Sequence, residues 1–287
     1  MGKVAIVTDS VACLPRELVR RYDISVAPCS VIFKDRVYRD EVDAIPGEFY
    51  RFLAEATEPP NTSPPSPASY LEIYREVSKK TDTILCITPS ARLTGVYTSA
   101  LAAREMAKEE LPHTTIEVLD STIATMAQGF VVLAAARAAA EDKSLAEIIQ
   151  VAKSLIPRVN CVFLVDNLAY ALLRGRHPRI AALTGPLLGN IKPIFDFRDG
   201  MAHRLAISRT KPRAVALLLE IVRQRVGTEN RVHIAVHHTN VPEEAERLRR
   251  QVDPQFDCAE LYVTEFSPVM ATGAGPGMLG LAYYGED

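Results

Sequence analysis

The 287-residue sequence predicts an α/β protein of two domains. A mostly parallel sheet flanked by helices is expected in residues 1–160, and an α+β domain in residues 161–287. Three observations lead there. In the first half, short apolar runs alternate with helical patterns, as βαβ units require. Beyond residue 160, hairpin spacing is mixed with helices. Hydrophobic residues make up 48 % of the chain, enough at this length for two cores.

Residues 4–9 form the first expected strand, followed by a helix over 15–22 with Pro15 in its first turn. A second strand is expected over 25–33, and helices over 46–56 and 66–79. A buried strand over 83–88 leads to a helix at 94–109, a strand at 115–119 and an Ala-rich helix at 122–141. After a helix near 144–155, the second domain opens with a strand at 161–165 and a short helix at 180–188. Strands at 192–197 and 201–208 flank Arg198-Asp199-Gly200, a good hairpin turn. Helices at 213–226 and 242–252 then alternate with strands at 232–236 and 260–265.

Composition narrows the function. Net charge is −2, so no strong field attracts a polyanion, and nucleic acid is not an expected partner. Cys13, Cys29, Cys86, Cys161 and Cys258 are scattered without a C-x-x-C pair, which suits a reducing cytoplasm better than a disulfide framework. The first residues read as a strand, not as a signal peptide. The apolar stretch 123–140 contains Gln128 and Arg137 and lacks an aromatic belt, so a buried helix is expected there and no membrane span.

Several catalytic and cofactor motifs fail. Gly275-Pro276-Gly277-Met278-Leu279-Gly280 satisfies G-x-G-x-x-G, but too little chain follows for a helix, a second strand and the acidic residue of a dinucleotide site. There is no phosphate-binding G-x-x-x-x-G-K-S/T, no G-x-S-x-G and no H-E-x-x-H. His237 and His238 are adjacent on a strand and point to opposite faces, a poor arrangement for one metal. No nucleophile, base and orienter assemble, so neither catalysis nor a metal is expected.

Polar loops remain. Asp9-Ser10 and Asp120-Ser121 each close a strand at the sheet's carboxyl edge, where α/β ligands bind. Helix capping and a shared pocket rim are both open readings. Asn61-Thr62-Ser63-Pro64-Pro65-Ser66 precedes one helix, and Pro89-Ser90-Ala91-Arg92-Leu93-Thr94-Gly95 another. Hydroxyls and free amides at helix starts suit a carboxylate or phosphate, although a capped turn needs no more than these residues.

Motifs along the whole chain resemble the DegV family, which includes the fatty-acid-binding subunits of bacterial fatty acid kinase. They begin with Val4-Ala5-Ile6-Val7-Thr8-Asp9-Ser10, Thr62-Ser63-x-Pro65-Ser66 and Leu93-Thr94-Gly95-x-Tyr97-x-Ser99-Ala100. Asp120-Ser121, Gln128-Gly129, Gly175-Arg176 and Ile191-Lys192-Pro193-Ile194 follow. Asp199-Gly200, Arg209-Thr210-Lys211-x-Arg213-Ala214, Glu265-Phe266-x-Pro268-Val269 and Gly277-Met278-Leu279-Gly280-Leu281-Ala282-Tyr283 complete the series. Order and spacing together, not any one motif, make the resemblance specific.

The resemblance implies a fatty acid held between two α/β domains. Its carboxylate would be met by Thr62, with Ser63 beside it, and by the loop carrying Ser90, Thr94 and Gly95. Asp9, Ser10, Asp120, Ser121, Thr272 and Gly273 would line the pocket rim. In the 90–96 segment Ala91 replaces a serine, Thr94 replaces another, and Val96 replaces a threonine. Gly273 stands where many relatives carry histidine, and the 175–180 segment is altered. The resemblance further implies a cytoplasmic, non-catalytic carrier that presents the carboxylate to a fatty acid kinase, giving an acyl phosphate for phospholipid synthesis. Arg176, Arg209 and Arg213 could form the kinase-facing surface, or simply be solvated charges at helix ends. No cofactor beyond the bound fatty acid is implied. Two other functions stay open: an acyl-processing enzyme with Ser90 or Thr62 as nucleophile, and a carrier for another apolar or carboxylated ligand such as an isoprenoid or sterol-like acid.

Overall fold

The computed structural model describes residues 3–33, 36–43, 47, 49–50, 60–167, 170, 191–227 and 230–286. The chain divides into two compact units. Unit 1 comprises Met1–Ser30, Thr62–Val159 and Asp199–Met201; unit 2 comprises Val31–Asn61, Asn160–Arg198 and Ala202–Asp287. The expected helix at 180–188 and the arginine at 176 lie outside the described residues, as does the 46–56 helix apart from residues 47, 49 and 50.

Unit 1 is built on a four-stranded sheet of order β2-β1-β6-β7. Its strands are β1 (Ala5–Asp9), β2 (Ser25–Ala27), β6 (Thr83–Thr88) and β7 (Thr115–Asp120). All three pairings are parallel. Parallel strands covered by helices are sealed from water, which is why Ile84, Leu85, Cys86 and Ile87 form an unbroken apolar run with no exposure. Helix α1 (Arg16–Arg21) follows β1. Helices α2 (Pro67–Ser78) and α3 (Val96–Glu110) pack on each other and on the sheet, as do α4 (Thr125–Ala140) and α5 (Leu145–Leu155).

α2 starts at the Ser66 side chain, which accepts from the Ser69 N–H at 3.1 Å, with Pro67 as the first helical residue. α5 starts with a capping box between Ser144 and Glu147. α4 is buried nearly all round, as its Ala-rich composition requires. Among the described residues, no helix is long and apolar enough to cross a membrane.

The expected strand at 25–33 is two strands. It breaks at Pro28, which has no N–H for a ladder, and the Cys29 N–H turns to the Ser10 hydroxyl at 3.2 Å. The second piece, β3 (Ser30–Phe33), joins β4 (Arg36–Arg39) and β5 (Asn61–Ser63) in a sheet of order β4-β3-β5. The Ala-rich helix begins at Thr125, not at residue 122. Thr122 and Thr125 have φ of 56° and 65°, so the backbone cannot enter the helix earlier.

Unit 2 carries a six-stranded sheet of order β10-β9-β8-β13-β11-β12. Its strands are β8 (Asn160–Leu164), β9 (Lys192–Arg198), β10 (Met201–Ser208), β11 (Val232–His238), β12 (Cys258–Glu265) and β13 (Leu279–Gly285). Helices α6 (Lys211–Val226) and α7 (Pro242–Val252) supply Leu218, Val222 and Leu248 to a core with Leu164, Ile194, Ile234 and Leu281. A short helix, α8 (Pro268–Ala274), precedes β13.

β13 pairs antiparallel with both β8 and β11, at the middle of the sheet. It follows directly on the glycines that satisfied the dinucleotide pattern, so a strand stands where that motif needs a helix. Gly280 serves close approach: a Cβ there would lie 2.9 Å from the Val162 carbonyl oxygen and 2.8 Å from the Phe163 Cβ. The Thr264 hydroxyl lies 2.7 Å from Nδ1 of His237. Burial depresses the pKa of His237 to about 3 and that of His238 to about 4, so both imidazoles are neutral at pH 7.

Gly129 tests the packing of α4. A Cβ there would meet the Ala12 carbonyl oxygen at 2.9 Å and the Met126 sulfur at 2.7 Å. Gly129→Ala should lower unfolding free energy by about 1–3 kcal/mol in urea titration, because overpacking outweighs the helix-propensity gain of about 1 kcal/mol.

Candidate functional site

All four strands of the parallel sheet release their loops at one edge, and unit 1's candidate residues gather there. The 62–66 and 90–95 loops lie side by side. Pro64 Cγ is 3.6 Å from where a Gly95 Cβ would sit, and the Ser99 hydroxyl donates to the Pro65 carbonyl. Pro64 and Pro65, which follow Thr62 and Ser63, thus meet Gly95 and Ser99 at the start of α3. Thr62, Ser63 and Thr94 are partly buried and Gly95 is exposed. The Ser63 hydroxyl donates to the Pro64 carbonyl at 3.3 Å. Gly95 has an ordinary φ of −76° and caps α3, whose positive dipole end faces this loop.

The 90–95 loop is fastened from below by β7. One Asp120 carboxylate oxygen accepts from the Ala91 N–H at 3.2 Å, the other from the Thr122 N–H at 2.7 Å. The Ser90 N–H donates to the Ile123 carbonyl, and the Ser121 N–H to that of Thr88. Ala91 thus takes part through its backbone. Ser121 is fully buried and its hydroxyl donates to the Ile123 carbonyl at 3.3 Å.

Ser90 is 1 % exposed, and its hydroxyl donates to the Gly200 carbonyl at 2.8 Å while accepting from the Arg92 N–H at 3.2 Å. Arg92 Nη1 donates to the Asp199 carbonyl. Sequence motifs named Ser90 and Asp199-Gly200 separately. Nothing in their spacing indicated that they touch.

Asp9 and Ser10 lie deeper than a rim. Asp9 is fully buried; its carboxylate accepts from the Val11 N–H at 3.0 Å and from Gln128 Nε2 at 3.2 Å. Gln128 Nε2 also reaches the Thr8 hydroxyl, which donates to the Ile87 carbonyl. Asp9 and Asp120 therefore both cap the turns that follow them. Near Asp9 sits the buried Tyr70 hydroxyl, which has no hydrogen-bond partner among the described residues. Burial, and secondarily the Asp9 charge, push its pKa well up, so it stays protonated. Burial also pushes the Cys86 thiol up to about 12. Tyr70 and Cys86 were not singled out from the sequence, since each reads as an ordinary core residue.

Unit 2 carries the other candidates. The buried Thr272 hydroxyl donates back to the Pro268 carbonyl at 2.7 Å, and the Val269 N–H donates to the buried Asp40 carboxylate at 3.1 Å. A Cβ on Gly273 would meet nothing within 4 Å among the described residues. Arg209 and Arg213 are exposed at the start of α6. Among the described residues, no group of three or more His, Cys, Asp or Glu is placed to hold a metal.

Asp120 is the brace that can be tested alone. Asp120→Ala leaves two amides without their acceptor and should destabilise the protein by about 1–3 kcal/mol. Hydrogen exchange at Ala91 and Thr122 should speed up, while the amides of the unit 2 sheet keep their rates.

Comparison with known proteins agrees with this architecture. A family model described as "Uncharacterised protein, DegV family" matches residues 3–286. A DegV domain-containing protein of Clostridium acetobutylicum is 35 % identical over 283 residues, 99 % of this chain and 98 % of its own. A fatty-acid-binding DegV family protein from Thermus thermophilus superposes with a TM-score of 0.89 at 27 % identity, covering 99 % of this chain and 100 % of its own. DegV of Bacillus subtilis, a fatty acid binding protein, gives 0.87 at 29 % identity with both chains fully covered. This chain belongs to the DegV family.

Proposed function

We propose that the protein binds one long-chain fatty acid, holds its carboxylate at the hydroxyl-bearing loops of unit 1, and passes it to a partner kinase without transforming it. The observation that carries this reading is the full-length likeness to solved fatty-acid-binding proteins of the family, at 27 % and 29 % identity. The juxtaposed 62–66 and 90–95 loops support it. They collect the hydroxyls of Thr62, Ser63 and Thr94 beside the start of α3, where partial positive charge favours an anion.

Energetics assign the roles. Burying roughly 15 methylenes releases on the order of 12 kcal/mol gross, at about 0.8 kcal/mol each. Association costs about 4–15 kcal/mol. A hydrogen bond to a charged group adds about 1.5–3 kcal/mol. The acyl chain therefore decides whether the ligand binds, and the hydroxyls decide how its head is oriented. The sequence has no phosphate-binding loop, so ATP chemistry falls to the partner. Arg209 and Arg213 offer exposed cations for docking it.

Native mass spectrometry of the purified protein, followed by organic extraction, tests the proposal. A stoichiometric fatty acid should appear in both; a protein that is empty and refuses added fatty acid refutes it. Thr62→Ala should weaken fatty acid binding by about tenfold or more, from the loss of one hydrogen bond to the carboxylate. Arg209→Glu should leave lipid affinity intact and reduce acyl phosphate formation in the presence of a fatty acid kinase. Unchanged formation would remove Arg209 from the docking surface.

A further inference from the structure

Ser90 carries the one hydroxyl in the 90–95 loop that is sealed from water and has its proton already engaged. A serine hydroxyl has a single proton to give. Here that proton goes to the Gly200 carbonyl at 2.8 Å, and one lone pair accepts from the Arg92 N–H at 3.2 Å. The acceptor belongs to a tight turn. Asp199 and Gly200 have φ of 51° and 75°, both left-handed, as a two-residue turn of the I′ kind requires. The turn is fitted to the loop: a Cβ on Gly200 would clash with Ser90 Oγ, and Arg92 Nη1 donates to the neighbouring Asp199 carbonyl. Only glycine allows this contact.

We infer that the Gly200 carbonyl is a specificity-determining element of the head-group site, because it competes with the ligand for the Ser90 proton. An ionised carboxylate is acceptor-only, so it gains Ser90 only by displacing this carbonyl. A head group that itself donates, such as a fatty alcohol, can use the remaining Ser90 lone pair and leave the turn in place. The inference rests on the fatty acid reading above and adds discrimination by head-group hydrogen-bonding character.

The Gly200 carbonyl can be observed directly. Of the six methionines, two follow glycine, Met201 and Met278. Labelling glycine with carbonyl ¹³C and methionine with ¹⁵N therefore gives two correlated NMR signals, and Met278→Leu removes one to assign the other. Palmitate should shift the Gly200 carbonyl upfield, as a lost hydrogen bond does, and hexadecanol should not. Gly200→Ala, which forces the turn away, should tighten palmitate binding by roughly threefold to tenfold, the effect of one competing neutral hydrogen bond, and leave hexadecanol unchanged. Gly227→Ala controls for strain, since Gly227 has φ of 78° but the nearest atom among the described residues, Asn230 Nδ2, would be 3.8 Å from the new Cβ. Stoichiometric palmitate with an unmoved Gly200 carbonyl overturns the competition and leaves the fatty acid reading standing. A protein that binds no palmitate overturns both.

Discussion

A carboxylate shut away from water at the end of β1 has to be met by fixed donors, and unit 1 is organised around doing so. Asp9 has no exposed surface, and an unpaired charge in that position would cost several kcal/mol. Its partners come from its own turn, through the Val11 N–H, and from α4, through Gln128. The same Gln128 amide reaches Thr8, whose hydroxyl bonds the Ile87 carbonyl on β6. One polar node thus pins β1, β6 and α4 together inside unit 1. Gln128 joins this node through its donor side alone, since its Oε1 is buried without a partner among the described residues.

Above that node, a second carboxylate does lighter work. Asp120 is only partly buried, and it spends both oxygens on the amides of Ala91 and Thr122. Ala91 is fastened through its backbone N–H, so its side chain takes no part in that bond. The left-handed backbone at Thr122 and Thr125 belongs to the same construction. A β-branched residue there is unfavourable, and such conformations persist where surroundings over-determine them, commonly beside functional sites.

Much of this was legible in the sequence. Alternating apolar runs and capped helices gave β1, β6, β7, α2, α5 and the hairpin, because local chemistry fixes them. Ser66-Pro67 and Ser144-x-x-Glu147 are start signals that act within four residues. What escaped were features decided by distant partners. β13 hid among glycines because Gly280 answers to a neighbouring strand, not to its own segment. The break at Pro28 depended on a hydroxyl 19 positions away from the Cys29 amide it receives. The site followed the same rule: hydroxyl loops could be named, but the Ser90–Gly200 contact spans 110 positions and has no local mark.

The thiols and the open place at Gly273 together make this chain chemically addressable. Cys13, Cys29, Cys86 and Cys161 are buried, and Cys258, half-buried, has its thiol pushed up to about 11, chiefly by burial. Thiolates are the reactive species, so the native cysteines are poor nucleophiles at neutral pH. A cysteine installed at position 273 would meet no neighbouring atom among the described residues and would need no unusual backbone. It would react ahead of the native five, giving one defined attachment point for a fluorophore or tether on the wild-type background.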